Sequence, residues 1–200
     1  TYSYKVSEVK GNAGDGITYD DKEYTVKVKV SYDQASGTMK AELADKDQKL
    51  AFANSYDTET GIDLEGTKSL SGRTLKDGEF TFEVKDKAGK VVATGSNKSD
   101  GSISFNNKLN YKLSDLEKAD GSYESEKTYE YTVNEVIPEG ATAENNYTVN
   151  SVTYDSKTVN VKVTVTYNKE TRELKAELAK DSEAIAFQNS YDTETSIGLE

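Results

Sequence analysis

Residues 185–195 read IAFQNSYDTET, and residues 50–60 read LAFANSYDTET. The same features precede both stretches in the same order. TYEYTVNEV at 128–136 answers TYSYKVSEV at 1–9, VTYDSKTVNVKVTVTY at 152–167 answers ITYDDKEYTVKVKVSY at 17–32, and LKAELA at 174–179 answers MKAELA at 39–44. From residue 16 onward the copies keep one register without a gap, the signature of a tandem repeat. On this pattern residue 1 falls inside one copy. Both termini are expected to be internal points of a longer protein, with export and anchoring signals beyond them.

Within each copy, bulky residues alternate with polar ones. Tyr24, Val26, Val28, Val30 and Tyr32 share one face of an extended chain, while Thr25, Lys27, Lys29 and Ser31 share the other, as in a half-buried strand. Tyr outnumbers Phe by 14 to 5, Pro occurs once, and the glycines separate short runs. The whole chain therefore reads as β. With 34% hydrophobic and 10% aromatic residues it can build a core, though a thin one.

Composition also excludes several chemistries. A net charge of −11 argues against nucleic acid or an anionic membrane surface as partner, since both need a basic patch. No apolar run is long enough for membrane insertion as a spanning helix. The absence of Cys and His removes disulfides, Ser-His and Cys-His nucleophiles and ordinary zinc sites together. Asp20-Asp21 and Asp45-Lys46-Asp47 lack the repeated oxygen spacing of a calcium loop. They read as surface charge, and no metal or cofactor is expected. The other acids scatter over turns and polar strand faces, which argues against a glycosidase-like carboxylate pair.

In chain order, strands are expected at 1–9, 24–32, 38–44 and 49–56, half of a sandwich with exposed edges. Residues 57–65 form the linker between repeats. The material after it occurs once, with strands at 66–70, 79–85, 91–95 and 102–105 and a helical turn in LSDLEKADG at 113–121. The second copy then supplies strands at 129–135, 147–154, 158–167, 172–179 and 184–191. The domain reading is residues 1–57 as the C-terminal half of a preceding repeat, 58–194 as one complete immunoglobulin-like β-sandwich, and 195–200 as the start of the next linker.

Three polar side chains interrupt apolar faces of the complete repeat. Lys68 lies in its first strand, Glu135 shares a face with Tyr129, Tyr131 and Val133, and Asn189 shares one with Ile185 and Phe187. Taken singly, a lysine there snorkels and an asparagine caps a turn. Taken together, with the first strand beside the last, they can form one buried cluster. Burial disfavours charge, lowering the lysine and raising the glutamate. A neutral amine is a nucleophile, the carboxamide carbon is a weak electrophile, and the acid can move the proton between them.

KSLSGRTLKDGEFTFEVKD at 68–86, followed by YxYxVxEV and FxNSY, closely resembles the isopeptide-linkage domains of Gram-positive pilin shafts and repetitive wall-anchored surface adhesins. The resemblance covers 62–194 fully and 1–57 for its C-terminal half. It implies that the Lys of the K-x-L-x-G segment is joined to the Asn of the F-x-N segment under catalysis by the Glu of the Y-x-V-x-E segment. In this chain those residues are Lys68, Asn189 and Glu135. By the same match, Glu8 and Asn54 are the acid and the acceptor of the half repeat, whose lysine lies before residue 1. The chain departs from a pilin subunit in lacking an LPxTG-type sorting signal and a lysine in a Pro-containing segment, which favours an adhesin stalk repeat over a pilus shaft.

The expected function is structural: an extracellular, cell-wall-anchored stalk or shaft repeat that is stiffened by one autocatalytic cross-link and turns over no substrate. The alternative is an adhesin module that binds a host surface ligand through loops such as Gly11–Gly16, Ser96–Gly101 or Pro138–Asn146. Near-identity of the copies favours the stalk. The partners are neighbouring repeats. Residues 1–57 and 128–194 compete for the single segment 62–125: the natural order, 62–125 with 128–194, is favoured over a circularly permuted Lys68–Asn54 pairing and over a domain swap in which 1–57 completes a domain in a second chain.

Overall fold

The structure, a computed structural model, describes residues 1–11 and 16–193. The expected linker at 195–200 and the centre of the Gly11–Gly16 loop lie outside the described residues. The fold is all-β and immunoglobulin-like, and the chain divides between Thr58 and Glu59 into two units.

The first unit contains β1 (Tyr2–Ser7), β2 (Ile17–Thr18), β3 (Glu23–Asp33), β4 (Thr38–Leu43) and β5 (Ser55–Tyr56). β1, β3 and β4 form an antiparallel sheet in that order, and β2 pairs with β5. The period-2 pattern of β3 works as expected: Tyr24, Val26, Val28 and Val30 are partly covered and the residues between them are exposed. Yet no described residue of this unit is fully buried, and Tyr2, Tyr4, Met39, Leu43 and Leu50 are exposed.

The second unit runs through β6 (Glu59–Ile62), β7 (Glu65–Ser71), β8 (Thr81–Asp86), β9 (Val91–Asn97), β10 (Ser102–Phe105), β11 (Leu109–Lys112) and β12 (Glu126–Glu135). It ends with β13 (Thr148–Val149), β14 (Val152–Thr153), β15 (Thr158–Asn168), β16 (Glu173–Leu178) and β17 (Ala186–Tyr191). Ten of these strands join in the order β13-β14-β17-β7-β10-β9-β8-β12-β15-β16, and β6 pairs with β11. The pairing of β17 with β7 is parallel. β7 and β12 are separated by three strands in this order, yet Lys68 on one meets Glu135 on the other at 2.7 Å. The sheet therefore curls until its inner faces close on each other. Phe82, Val84, Leu113, Val133, Val161, Val163 and Val165 fill the space between them with essentially no exposure. Each such side chain contributes about 1.5–3 kcal/mol.

The two copies of the repeat share one register, pair for pair. Tyr2 faces Val28 as Tyr129 faces Val163, and Val28 faces Leu43 as Val163 faces Leu178. Ile17 faces Tyr56 as Val152 faces Tyr191.

The structure departs from the sequence reading in three places. The strand expected at 49–56 is reduced to β5, because its counterpart β17 is held along its length by β7 and the first unit has no such neighbour among its described residues. The strand expected at 147–154 is a hairpin, with Asn150 at φ 50° and Ser151 at φ 63°. These left-handed central residues make the type I′ geometry that suits a two-residue connection. The linker at 57–65 contains a strand, β6, whose partner β11 lies some fifty residues on, beyond the reach of local pattern. The helical turn is present as a 3₁₀ turn at Leu113–Leu116 that buries both leucines.

Candidate functional site

β7 and β17 lie side by side with Phe187 opposite Lys68 and Asn189 opposite Leu70. Residues two apart on a strand share a face, so Lys68 and Asn189 point inward as diagonal neighbours. β12 presents Glu135 to the same interior from across the core. Lys68 is 3%, Glu135 5% and Asn189 1% exposed, so all three are shut off from solvent.

Glu135 bridges the other two. Lys68 Nζ donates to Oε2 at 2.7 Å, and Asn189 Nδ2 donates to Oε1 at 2.7 Å. The carboxamide is oriented from its other end too, since Asn189 Oδ1 accepts from the Asp155 main-chain N–H at 2.8 Å. Asp155 is fixed in turn, taking the Gln188 N–H at 3.0 Å and the Lys157 N–H at 3.2 Å on its carboxylate. Burial alone would push Asp155 up, but these hydrogen bonds and the Lys157 ammonium outweigh it and leave its carboxyl below the usual range.

Aromatic rings line the cluster. Lys68 Nζ lies 4.6 Å from the Phe80 ring centre and 6.0 Å from that of Phe82, and Phe82 packs on Phe187 at 5.1 Å. In this setting desolvation dominates. It lowers Lys68, against the pull of Glu135, and raises Glu135, against the pull of Lys68 and Asn189. Both shifts favour moving the proton from the ammonium to the carboxylate.

The geometry suits amide exchange. With the proton on Glu135, the neutral Nζ can attack Asn189 Cγ. The developing oxyanion on Oδ1 meets the Asp155 N–H. Glu135 could then deliver its proton to Nδ2 as the Cγ–Nδ2 bond breaks and ammonia leaves, and take up the second Nζ proton. A new Nζ–Cγ amide would replace the old one without any change of oxidation state.

Lys68, Glu135 and Asn189 thus come together in one place. Glu8 and Asn54 also meet, with Asn54 Nδ2 donating to Glu8 Oε1 at 2.6 Å. Asp155 was not singled out in the sequence, although the TYD triplet in both copies carries it. Its counterpart Asp20, read as surface charge, accepts from Ala53 N at 2.9 Å and its N–H donates to Asn54 Oδ1 at 2.9 Å. Among the described residues no group of three or more acids could hold a metal ion, and no helix is long and apolar enough to cross a membrane.

A family model described as a Spy0128-like isopeptide containing domain (FctA) matches residues 1–57 and 64–192. The chain belongs to this family. Its domains are structural rather than catalytic units, and the family includes both the half repeat and the complete one. No curated protein matches the chain. Among solved structures, it is similar to the major pilin from Streptococcus pyogenes at 19% identity over 66% of this chain and 51% of the pilin, with a TM-score of 0.37. It is also similar to the T-13 major pilin of that organism at 18% identity over 68% of this chain and 54% of the pilin, with a TM-score of 0.32. The matched region thus spans about half the length of each pilin chain.

Proposed function

We propose that this family member is a force-bearing repeat of a Gram-positive surface protein, a stalk or a shaft, locked by an amide between Lys68 Nζ and Asn189 Cγ that forms once, inside the folded chain. Glu135 is the acid and base of that step. The observation that carries the reading is the placement of one buried carboxylate between the amine and the carboxamide, an oxygen on each. The bond would join the first and last long strands of the complete unit, β7 and β17. Load applied at the two ends of the unit would then pass through covalent bonds and bypass the hydrogen-bonded strands between them. Closing so long a loop is worth roughly 5 kcal/mol on the chain-entropy model for cross-links. Pre-alignment of amine and carboxamide supplies much of the barrier reduction, as effective molarities of about 10⁵ M or more indicate.

The test is the intact mass of the denatured chain. A deficit of one ammonia against the mass calculated from sequence is expected, absent in Lys68→Ala and in Asn189→Ala. A wild-type chain of full calculated mass would refute the proposal.

A further inference from the structure

Lys68, Glu135 and Asn189 share the buried interior with a fourth polar side chain, Asn97, which is 1% exposed and takes no part in the chemistry above. Asn97 ends β9 and meets residues 72–80, the connection from β7 to β8. Its Oδ1 accepts the Phe80 N–H at 2.8 Å, and its Nδ2 donates to the Lys76 carbonyl at 2.7 Å and the Lys98 carbonyl at 3.2 Å. In the main chain its N–H donates to the Phe80 carbonyl at 3.2 Å and its carbonyl accepts the Gly78 N–H at 2.7 Å. An asparagine beside a turn ordinarily satisfies its own loop. Here four of the five bonds go to residues 76–80 instead.

The segment held in this way ends in Phe80, whose side chain is 3% exposed and whose ring centre lies 4.6 Å from Lys68 Nζ. The ring gives the amine no oxygen to bond, so Glu135 is the one group among the described residues to which Nζ donates. Water in that place would bond the ammonium and hold its charge. Phe80 also meets the Tyr154 ring edge to face at 5.8 Å, and Tyr154 precedes Asp155, whose N–H holds Asn189 Oδ1. One ring therefore touches both the nucleophile and the segment that orients the electrophile. The start of the connection is fixed separately, by Arg73, which stacks 4.8 Å from the Tyr191 ring centre and pairs with Glu79.

We infer that Asn97 is a positioning residue for amide formation: it closes the 72–80 connection onto β9, which keeps the Phe80 ring between water and Lys68 Nζ and braces Tyr154 and Asp155 behind Asn189. The inference rests on the function proposed above. It assigns to that reaction a residue that makes no hydrogen bond to the amine, the carboxylate or the carboxamide. No bond is made or broken at Asn97 or at Phe80.

The test follows ammonia loss with time in full chains made by cell-free synthesis and quenched in denaturant, with intact mass as the readout. Asn97→Ala should lose its ammonia about 100-fold more slowly than the wild type, the scale on which misplacement by about 1 Å acts on aligned reactants. Phe80→Ala should be slowed to the same extent, and Asn97→Ala/Phe80→Ala no further than either alone, because Asn97 acts through the ring. Leu113→Ala is the control for lost stability. Leu113 is fully buried in the 3₁₀ turn whose Asp115 carbonyl meets Lys127 at the start of β12, the opposite end of that strand from Glu135, and its variant should join at the wild-type rate. Circular dichroism checks that each variant folds, and Asn97→Ser, a milder truncation, takes the place of Asn97→Ala if that chain does not. Joining of the Asn97 variant at the rate of Leu113→Ala would overturn this inference alone, as would a double variant slowed by the product of the two single effects. A wild-type chain of full calculated mass would overturn it together with the function on which it rests.

Discussion

Lys68 and Asn189 stand on neighbouring parallel strands, and each reaches a different oxygen of Glu135, both at 2.7 Å. One carboxylate can therefore take a proton on the side of the nucleophile and return it on the side of the leaving group. Glu135→Gln keeps the shape but cannot accept the ammonium proton. It should fold, retain the full calculated mass, and unfold roughly 15 °C below the wild type, as loss of about 5 kcal/mol in a domain of this size implies. Glu135→Ala should cost more, because it removes every side-chain acceptor for the buried Lys68 Nζ and Asn189 Nδ2 and leaves a cavity. Mass spectrometry and scanning calorimetry read both, and a wild-type mass deficit in Glu135→Gln would remove Glu135 from the mechanism.

Asp155 acts on Asn189 through the main chain. Its side chain gathers the Gln188 and Lys157 amides, which fixes the loop whose N–H meets Asn189 Oδ1. Asp155→Ala should loosen that loop, and freshly folded protein should contain a larger fraction of chains that still hold the ammonia. Asp155→Asn, whose single carboxamide oxygen can accept only one of the two N–H groups that now reach different carboxylate oxygens, should restore only part of the wild-type fraction. Equal mass deficits in all three proteins would leave Asp155 as a turn residue only.

How much of this was legible depended on whether the signal was local. Lys68, Glu135 and Asn189 each break an alternating apolar pattern, so burial was readable from the sequence, and the motif resemblance supplied their grouping. Asp155 broke no pattern: an acid after Thr-Tyr in a turn looks solvated, and its role passes through a main-chain N–H that composition cannot show. Residues 49–54 were misread for the opposite reason. LAFAN carries the same alternation as its counterpart IAFQN, but a strand also needs a neighbour to bond, and β7 is present for only one copy. The hairpin at Asn150-Ser151 was missed although Val152 and Tyr154 fall out of step with Tyr147 and Val149, because Asn-Ser lacks the glycine that marks most two-residue turns.

Gly72 closes the K-x-L-x-G segment with φ at +86°, and a Cβ built there would lie 1.9 Å from the Tyr191 carbonyl oxygen. Side chains other than glycine are strained at such a φ, and here backbone rather than a flexible side chain blocks the space. Gly72→Ala must push the end of β7 away from β17, the pairing that aligns Lys68 with Asn189. A loss of roughly 2 kcal/mol or more is expected, measured by denaturant unfolding, together with slower ammonia release. Gly78→Ala is the control, since its φ is also positive at +66° and nothing lies within 4 Å of its added carbon. Similar losses in both variants would assign the effect to backbone strain alone.

Asn189→Ala leaves Lys68 and Glu135 buried together and unable to join, which exposes their titration. Burial raises Glu135 from 4.5, so between 4.5 and the raised value the folded chain holds a proton that the unfolded chain has lost. That contribution is fully present below pH 4.5 and disappears as pH rises through the raised value. Burial lowers Lys68 from 10.5, so between the lowered value and 10.5 the unfolded chain holds the extra proton. That contribution is present above pH 10.5 and disappears as pH falls through the lowered value. Relative to Lys68→Met/Glu135→Gln/Asn189→Ala, which shares every other titrating group, the single variant should therefore be least stable between the two windows and gain on either side. Denaturant midpoints taken across pH measure the difference. A flat difference would mean that the desolvation of this pair is too weak to drive the proton from Lys68 to Glu135, and with it the step that makes the amine a nucleophile.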